Sequence, residues 1–491
     1  MTGKISEDPD KTVDGSEKVA AASGGVSYGI LVSSIAAWLA STALTLTNKT
    51  INAANNTILG VVTSVAPGPG LCNGATLGPV TGAGTISVDG SFVNRNRIVN
   101  PSGQIAQFTP SGSSAVTISI ASPGVVTWTG HTFPNGARLA LITTGALPTG
   151  LAVGTVYYVV NQAANTFQLS ATLGGAPINT SGTQSGTHTA YAAYADGDYD
   201  FDWWLSLTQS APVTVSQLAS PENGTASMLR TTQASATAQR FGKIQFIENL
   251  NCLDLRGQAV ALSARVRMSA SATLRFAILE WTGAANTVGA SKDVVNNWAS
   301  STFTPGNFFL ASNLAVTAIG SVALAANAFA SIALTGTVGA SASNIAVFFW
   351  TDAAQAQGVT LDIGKVQLEQ GLAPTLFAQD SYAAELGKAQ RYFLPIPVGC
   401  FFGGGTIRSG GTVFYAYMAI PVPMLALPVL TFVGMSVVVG DTLTAITSGA
   451  ASAPCGNMLT LSMGTGSSAG SVGQALVFYN GANVNSLRVQ F

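Results

Sequence analysis

Six consecutive apolar residues close the run Asn344 to Trp350 (NIAVFFW), and no solvent-facing surface can be made of them. The run is short and rich in β-branched and aromatic residues, so it reads as a strand buried on both faces rather than as a helix. Around it the period is two. Leu262-Ser263-Ala264-Arg265-Val266-Arg267-Met268 alternates, and Leu274 to Trp281 is a mostly buried strand. The body from Tyr199 to about Gln379 is therefore all-β, and its pattern fits a two-sheet sandwich.

At 491 residues the chain exceeds one ordinary core, so two to four domains are expected. Charged residues are only 8% of it, against ~25% in average proteins. With 47% hydrophobic residues it is not a disordered chain. Between Arg97 and Asp196 the only charge is Arg138, and beyond Arg408 the only charges are Asp441 and Arg488. A monomer with so few charges would associate, which points to an obligate homo-oligomer.

The net charge of -1 and the scattered Lys and Arg exclude a nucleic-acid footprint. Cys72, Cys252, Cys400 and Cys455 lack CxxC spacing, so neither a metal site nor a disulfide framework is expected, and they read as buried thiols. The charged first eighteen residues do not make a signal peptide. Tyr28 to Leu46 has about the length of a membrane span, but it holds five Ser or Thr and no basic flank. A buried helix at an assembly interface is the better reading.

The pattern divides the chain into five parts. Residues 1–43 are a head, with a charged arm, a flexible break from Ala20 to Gly25, and an apolar helical segment carrying Ile35, Trp38 and Leu39. Residues 44–91 form a neck or linker, in which Leu44, Leu46, Ile51 and Ile58 mark a strand. Residues 194–380 carry the sandwich strands; that 92–107 belongs with them, and that 108–193 is an insert, is implied by a family likeness and not by periodicity. Residues 108–193 read as a small inserted all-β module, with strands at Val116–Ile120, Val125–Trp128, Tyr157–Val160 and Thr166–Leu169. Residues 381–491 are a β-rich C-terminal tip, with a Gly-rich turn at Phe402–Gly405 and a last strand ending at Phe491. Before the tip, Tyr382, Leu386, Ala389 and Phe393 recur at helical spacing, and Asp380 or Ser381 can cap that helix.

Catalytic chemistry finds little to hold. His131 and His188 both lie in the insert and read as satisfied loop histidines, so no catalytic residue is assigned and no cofactor is expected. Carboxylate pairs for sugar hydrolysis are available at Asp198, Asp200 and Asp202, or at Glu280 with Asp293, without the short coils of a β-helix around them. Sugar binding asks for exposed aromatic faces beside amides and carboxylates. The candidates are Trp281 and Trp298, in Trp281-Thr282-Gly283 and Asn296-Asn297-Trp298, and Tyr415 and Tyr417, which face one side of their strand across Ala416.

Several segments carry a family likeness. Ile5-Ser6-Glu7 with Asp14 to Val19, the neck Leu46-Thr47-Asn48-Lys49-Thr50-Ile51-Asn52, the strand Asn94-Arg95-Asn96-Arg97-Ile98-Val99-Asn100 with Gln104-Ile105-Ala106-Gln107, the late Tyr199-Asp200-Phe201-Asp202-Trp203, and Asp362 to Phe393 resemble tailed-bacteriophage tail fibre and receptor-binding proteins. Thr143 to Leu151 and Ser181 to Thr187 resemble a small module of phage tail proteins, and Gly257-Gln258-Ala259-Val260 resembles the strand entry of jelly-roll carbohydrate modules. The resemblance implies an elongated homotrimer on the virion. Its head, through Ile35, Trp38 and Leu39, would dock on tail or baseplate proteins, and its distal domains would bind a host cell-surface glycan or outer-membrane protein. A tailspike enzyme that depolymerises surface polysaccharide is the alternative.

Overall fold

The computed structural model describes residues 18–23, 26–31, 64–65, 71–72, 80–81, 87–88 and 95–488, apart from 108, 288–291, 397–399, 432–434, 456–457, 472–473 and 481–484. Two compact units result, Met1–Ala66 with Pro79–Gly84, and Pro67–Gly78 with Thr85–Phe491. In the first, Lys18–Ser23 pairs antiparallel with Val26–Leu31, in register from Lys18 opposite Leu31 to Ser23 opposite Val26. This corrects two expectations. Ala20 to Ser23 is strand rather than a flexible break, and Tyr28 to Leu31 is strand rather than the start of a helix. Gly24-Gly25 between two apolar stretches is a two-residue hairpin signal, and it outweighs a helical reading of Tyr28 to Leu31. Ile35, Trp38 and Leu39 lie outside the described residues, as do Leu44, Leu46, Ile51 and Ile58.

The second unit is almost entirely antiparallel β. One sandwich sheet has the order Asp198–Tyr199, Leu205–Thr208, Phe241–Ile247, Asn344–Thr351, Ala272–Trp281, Leu314–Leu324. The facing sheet runs Thr214–Ala219, Ser227–Thr232, Thr360–Gln370, Ala259–Met268, Ala330–Thr337.

The unbroken apolar run now has its cause. Ile345, Val347 and Phe349 point between the sheets, against Leu262, Val266 and Ile363. Ala346, Phe348 and Trp350 point the other way, into a second core built on the back of the six-stranded sheet. A strand covered on both faces has no side to give to water. Phe308 and Phe309 from a long loop close that second core, with Phe308 stacked on Trp350 at 5.2 Å.

Residues 95–107 belong to this sandwich although the barrel separates them from it in sequence. Gln245 donates to the Val99 carbonyl and accepts from its amide, at 2.7 and 2.8 Å. Asn100 clamps both the amide and the carbonyl of Ile105, and its own carbonyl accepts from the buried Trp204 indole at 3.0 Å.

Between them the chain forms a closed six-stranded barrel of Tyr157–Val160, Thr166–Ser170, Val126–Thr127, Ser113–Ile118, His188–Ala192 and Arg138–Thr143. The words Thr143 to Leu151 and Ser181 to Thr187 meet there: Ala146 and Ser185 exchange backbone hydrogen bonds of 3.1 and 2.9 Å. Gly145 is required at that contact, since a Cβ on it would sit 2.4 Å from the Ser185 carbonyl.

The helix Tyr382–Gln390 starts at Ser381, whose hydroxyl accepts from the Ala384 amide. Its inward face is Glu385 and Ala389, while Tyr382, which the spacing placed there, is 59% exposed. Glu385 turns inward because its carboxylate accepts the Asn100 amide at 2.8 Å.

Beyond the helix, Phe393–Ile396, Asn485–Arg488 and Val429–Thr431 make a small sheet. A second closed barrel has the order Cys400–Ser409, Val413–Ala419, Met458–Thr465, Thr442–Cys455, Met435–Val439, Ala475–Asn480. Phe402–Gly405, expected as a turn, lies inside the first of these strands. The glycines serve close approach there, because a Cβ on Gly405 would meet the Tyr415 carbonyl. Closure leaves neither barrel with a free edge. Among the described residues no helix is long and apolar enough to cross a membrane.

Candidate functional site

The four aromatic candidates separate into two pairs. Trp281 is the last residue of its strand and Trp298 lies in the long loop beyond it, and both are filled into the second core at 8% and 9% exposure. The Trp281 indole donates to the Ala284 carbonyl at 3.1 Å, and Trp298 meets Phe308 and Phe348 edge-on. Neither presents an open ring face. The loop letters misled because the outer face of this sheet needs aromatic cover of its own.

Tyr415 and Tyr417 flank the buried Ala416 and face outward from the C-terminal barrel, Tyr417 at 57% exposure. The register continues from Tyr417 across Gly404, Val477 and Val438 to Leu443. Residues directly opposite share a face, so this is one outward row, and Val477 and Leu443 in it are exposed. Arg408 lies over the Tyr415 ring.

The carboxylate candidates are each engaged. Asp200 is buried with Lys243 and accepts from Ser206 Oγ at 2.6 Å. Asp198 pairs with Arg138 at 2.6 Å. Glu280 accepts from Thr317 Oγ1 and from the Gly339 amide at 3.0 Å. Asp293 does not meet Glu280 as a partner but shares a hydrogen bond with Asp196. Desolvation and the Asp293 charge push Asp196 up to about 7, and burial raises Asp293 too. Two carboxyls bonded directly to each other stand closer than the roughly 5–10 Å that glycoside hydrolysis uses. In the insert, His188 is held by Thr143 Oγ1 at 2.8 Å and Gln184 Oε1 at 3.0 Å, while the Nδ1 of His131 lacks a hydrogen-bond partner.

A cleft of about 370 Å³ opens where the inserted barrel, the sandwich and the C-terminal sheet meet. The insert gives Arg138 and Tyr158, the sandwich Asp198, Tyr199 and Lys292, and the last strands Phe393, Ser486 and Arg488. The motif Gln390-Arg391-Tyr392-Phe393 fixes its floor. Arg391 forks onto Glu248 at 2.7 and 2.8 Å, Tyr392 stacks on Trp203 at 3.9 Å, and the Phe393 carbonyl accepts from Gln107.

Lys292 and Arg488 lie 4.7 and 4.8 Å from the centre of the Tyr199 ring, and Arg488 is also 4.1 Å from that of Phe393. Burial, with Arg138 nearby, lowers the Arg488 guanidinium to about 10, and burial together with Arg488 lowers Lys292. Sequence reasoning passed over these cations. The available signal was isolation: Arg138 and Arg488 are single charges in long uncharged stretches.

No protein family matches the sequence, and no curated protein matches it. Weak likenesses to solved structures cover about a third of the chain. One is the Clostridium thermocellum xylanase 10B carbohydrate-binding and catalytic modules, at 13% identity and TM-score 0.23, over 36% of this chain and 27% of that one. Another is a xylan-binding domain from Paenibacillus barcinonensis, at 12% and 0.22, over 36% and 92%. A third is the enzymatically active domain of bacteriophage CBA120 tailspike protein 4, at 14% and 0.22, over 34% and 19%. The chain thus spans about a quarter of the first of these proteins. At such scores the likenesses say nothing about what this chain binds.

Proposed function

We propose that the chain is a structural and adhesive subunit of a tailed-phage virion, a homotrimeric tail fibre. Its N-terminal segment docks on tail or baseplate proteins, and its distal β domains bind a receptor on the host surface, a glycan. The observation that carries this reading is the way 95–107 lies on the sandwich while an entire barrel intervenes before Tyr199. The fibre resemblance joins these two segments within a few residues; here they lie on one sandwich with the barrel inserted between them, which supports the reading of a fibre sandwich carrying an added module. Adhesion through several weak contacts per trimer gains from effective concentration.

The test uses the full chain, because a fragment starting at Tyr199 would strip Gln245 and Trp204 of Val99 and Asn100. Incubated with host cells it is expected to adhere, and incubated with purified host polysaccharide it is expected to leave the polymer length unchanged. Release of short oligosaccharides would overturn the adhesive reading in favour of a tailspike depolymerase. Absence of adhesion to any host of the phage would remove it altogether.

A further inference from the structure

We infer that the three-way cleft is a binding site for an acidic sugar residue, its carboxylate held by Lys292 and Arg488 and its ring set against Tyr158. This rests on the adhesive reading and names the class of glycan.

Charge is the first argument. The lining carries three cations and one anion, and that anion, Asp198, is already committed to Arg138. Among the described residues neither Lys292 nor Arg488 has a carboxylate within salt-bridge distance; Arg488 Nη1 reaches only the Asp202 carbonyl, at 3.4 Å. In a chain that is 8% charged, two such cations beside one ring are a deliberate concentration of positive potential. With Asp198 paired to Arg138, the uncompensated charge of the lining is positive, and the cleft focuses that potential on an entering anion.

Shape is the second. The volume lies in the range of small-molecule sites and suits a sugar unit better than a bare ion, which would leave most of it empty. Tyr199 and Phe393 are buried and their rings carry the two cations, so the half-buried Tyr158 and the Ser486 hydroxyl are the groups that meet a pyranose ring and its hydroxyls. The guanidinium and ammonium are held in place by cation–π contact, so little side-chain entropy is lost when a carboxylate arrives.

Calorimetric titration of the full-length protein with trigalacturonate is the direct experiment, with galactotriose and inorganic phosphate as parallel arms. Trigalacturonate is expected to bind and galactotriose not to. Lys292→Gln is expected to weaken trigalacturonate roughly tenfold or more, and raising salt from about 0.05 to 0.5 M should weaken it for the native protein. Arg488→Gln should do the same, but that side chain also packs on Phe393, so Lys292→Gln at the rim decides the matter with circular dichroism unchanged.

No binding of trigalacturonate, or binding untouched by Lys292→Gln, overturns the inference. Phosphate binding as tightly as trigalacturonate and displacing it would reduce the site to a simple anion hole and overturn the sugar assignment. The two readings fail separately. A protein that adheres to host cells but ignores trigalacturonate keeps the adhesive function and loses this site, whereas one that binds trigalacturonate through Lys292 but adheres to nothing does the reverse.

Discussion

At the scale of single residues, the sandwich interior is less apolar than its strands suggest. Lys243 and Asp200 are at 1% and 0% side-chain exposure and face each other beside Ser206. A pair like this contributes little net stability, but losing one member strands a buried charge. Lys243→Met is expected to cost about 3–5 kcal/mol, and Lys243→Met with Asp200→Asn to recover most of that, measured by urea unfolding followed through Trp203 and Trp204. Asp202 gives a second expectation. Desolvation raises it to about 6, above its unfolded value, so the folded state keeps a proton that the unfolded chain has released. Its contribution is therefore present below about pH 4 and lost as pH rises to about 6 and beyond. Asp196, Asp293 and Glu385 shift in the same direction. The melting temperature should fall from pH 4 towards pH 7, and Asp202→Asn should flatten that slope. Asn is also at ease at the positive φ of 56° found there.

At the scale of elements, the strands were legible because burial sets their period, and they were legible wherever one or both faces met a core. Leu262–Met268, Leu274–Trp281 and Asn344–Trp350 were all readable on that ground. Where close approach rather than burial governs, the letters mislead. Gly403-Gly404-Gly405 spells a turn and is a barrel strand. The pairing of Lys18–Ser23 with Val26–Leu31 was signalled by Gly24-Gly25, but the alanines before it carry no period to mark a strand. The candidate site was the least readable, since Arg138, Lys292 and Arg488 lie 154 and 196 residues apart and only tertiary contact joins them. The helix Tyr382–Gln390 stands between these cases, with its cap visible and its inward Glu385 not. Ser381→Ala is expected to cost about 0.5–2 kcal/mol locally, and Ser381→Asp to keep the cap. Hydrogen exchange at the Ala384 amide would report it: protection unchanged by Ser381→Ala would count against the cap, although the hydrogen bond is seen at 3.3 Å.

At the scale of the whole molecule, the outward row from Tyr417 to Leu443 must be reconciled with a C-terminal domain that has almost no charge to keep it apart from its copies. Apolar area buried between subunits stabilises by ~25 cal/mol per Å², so a modest share of this barrel would suffice to hold the proposed trimer. Few ions would take part in the proposed association, which should therefore survive high salt. The same row also offers the aromatic faces that a receptor needs, and one surface cannot serve both ends at once. Tyr415 and Tyr417 decide between them. As receptor anchors, Tyr415→Ala and Tyr417→Ala should each weaken adhesion by about 1–3 kcal/mol while light scattering still returns a trimer, since anchors concentrate binding energy in few residues. As subunit contacts they should lower the assembly state and take adhesion down with it, through lost multivalency. The expected outcome is the first, because Arg408 over Tyr415 keeps a polar rim beside the ring that an interior subunit contact would have to desolvate. A stable native monomer at micromolar concentration would refute the trimer, and variants that stay trimeric with adhesion intact would remove the tyrosines from the receptor contact.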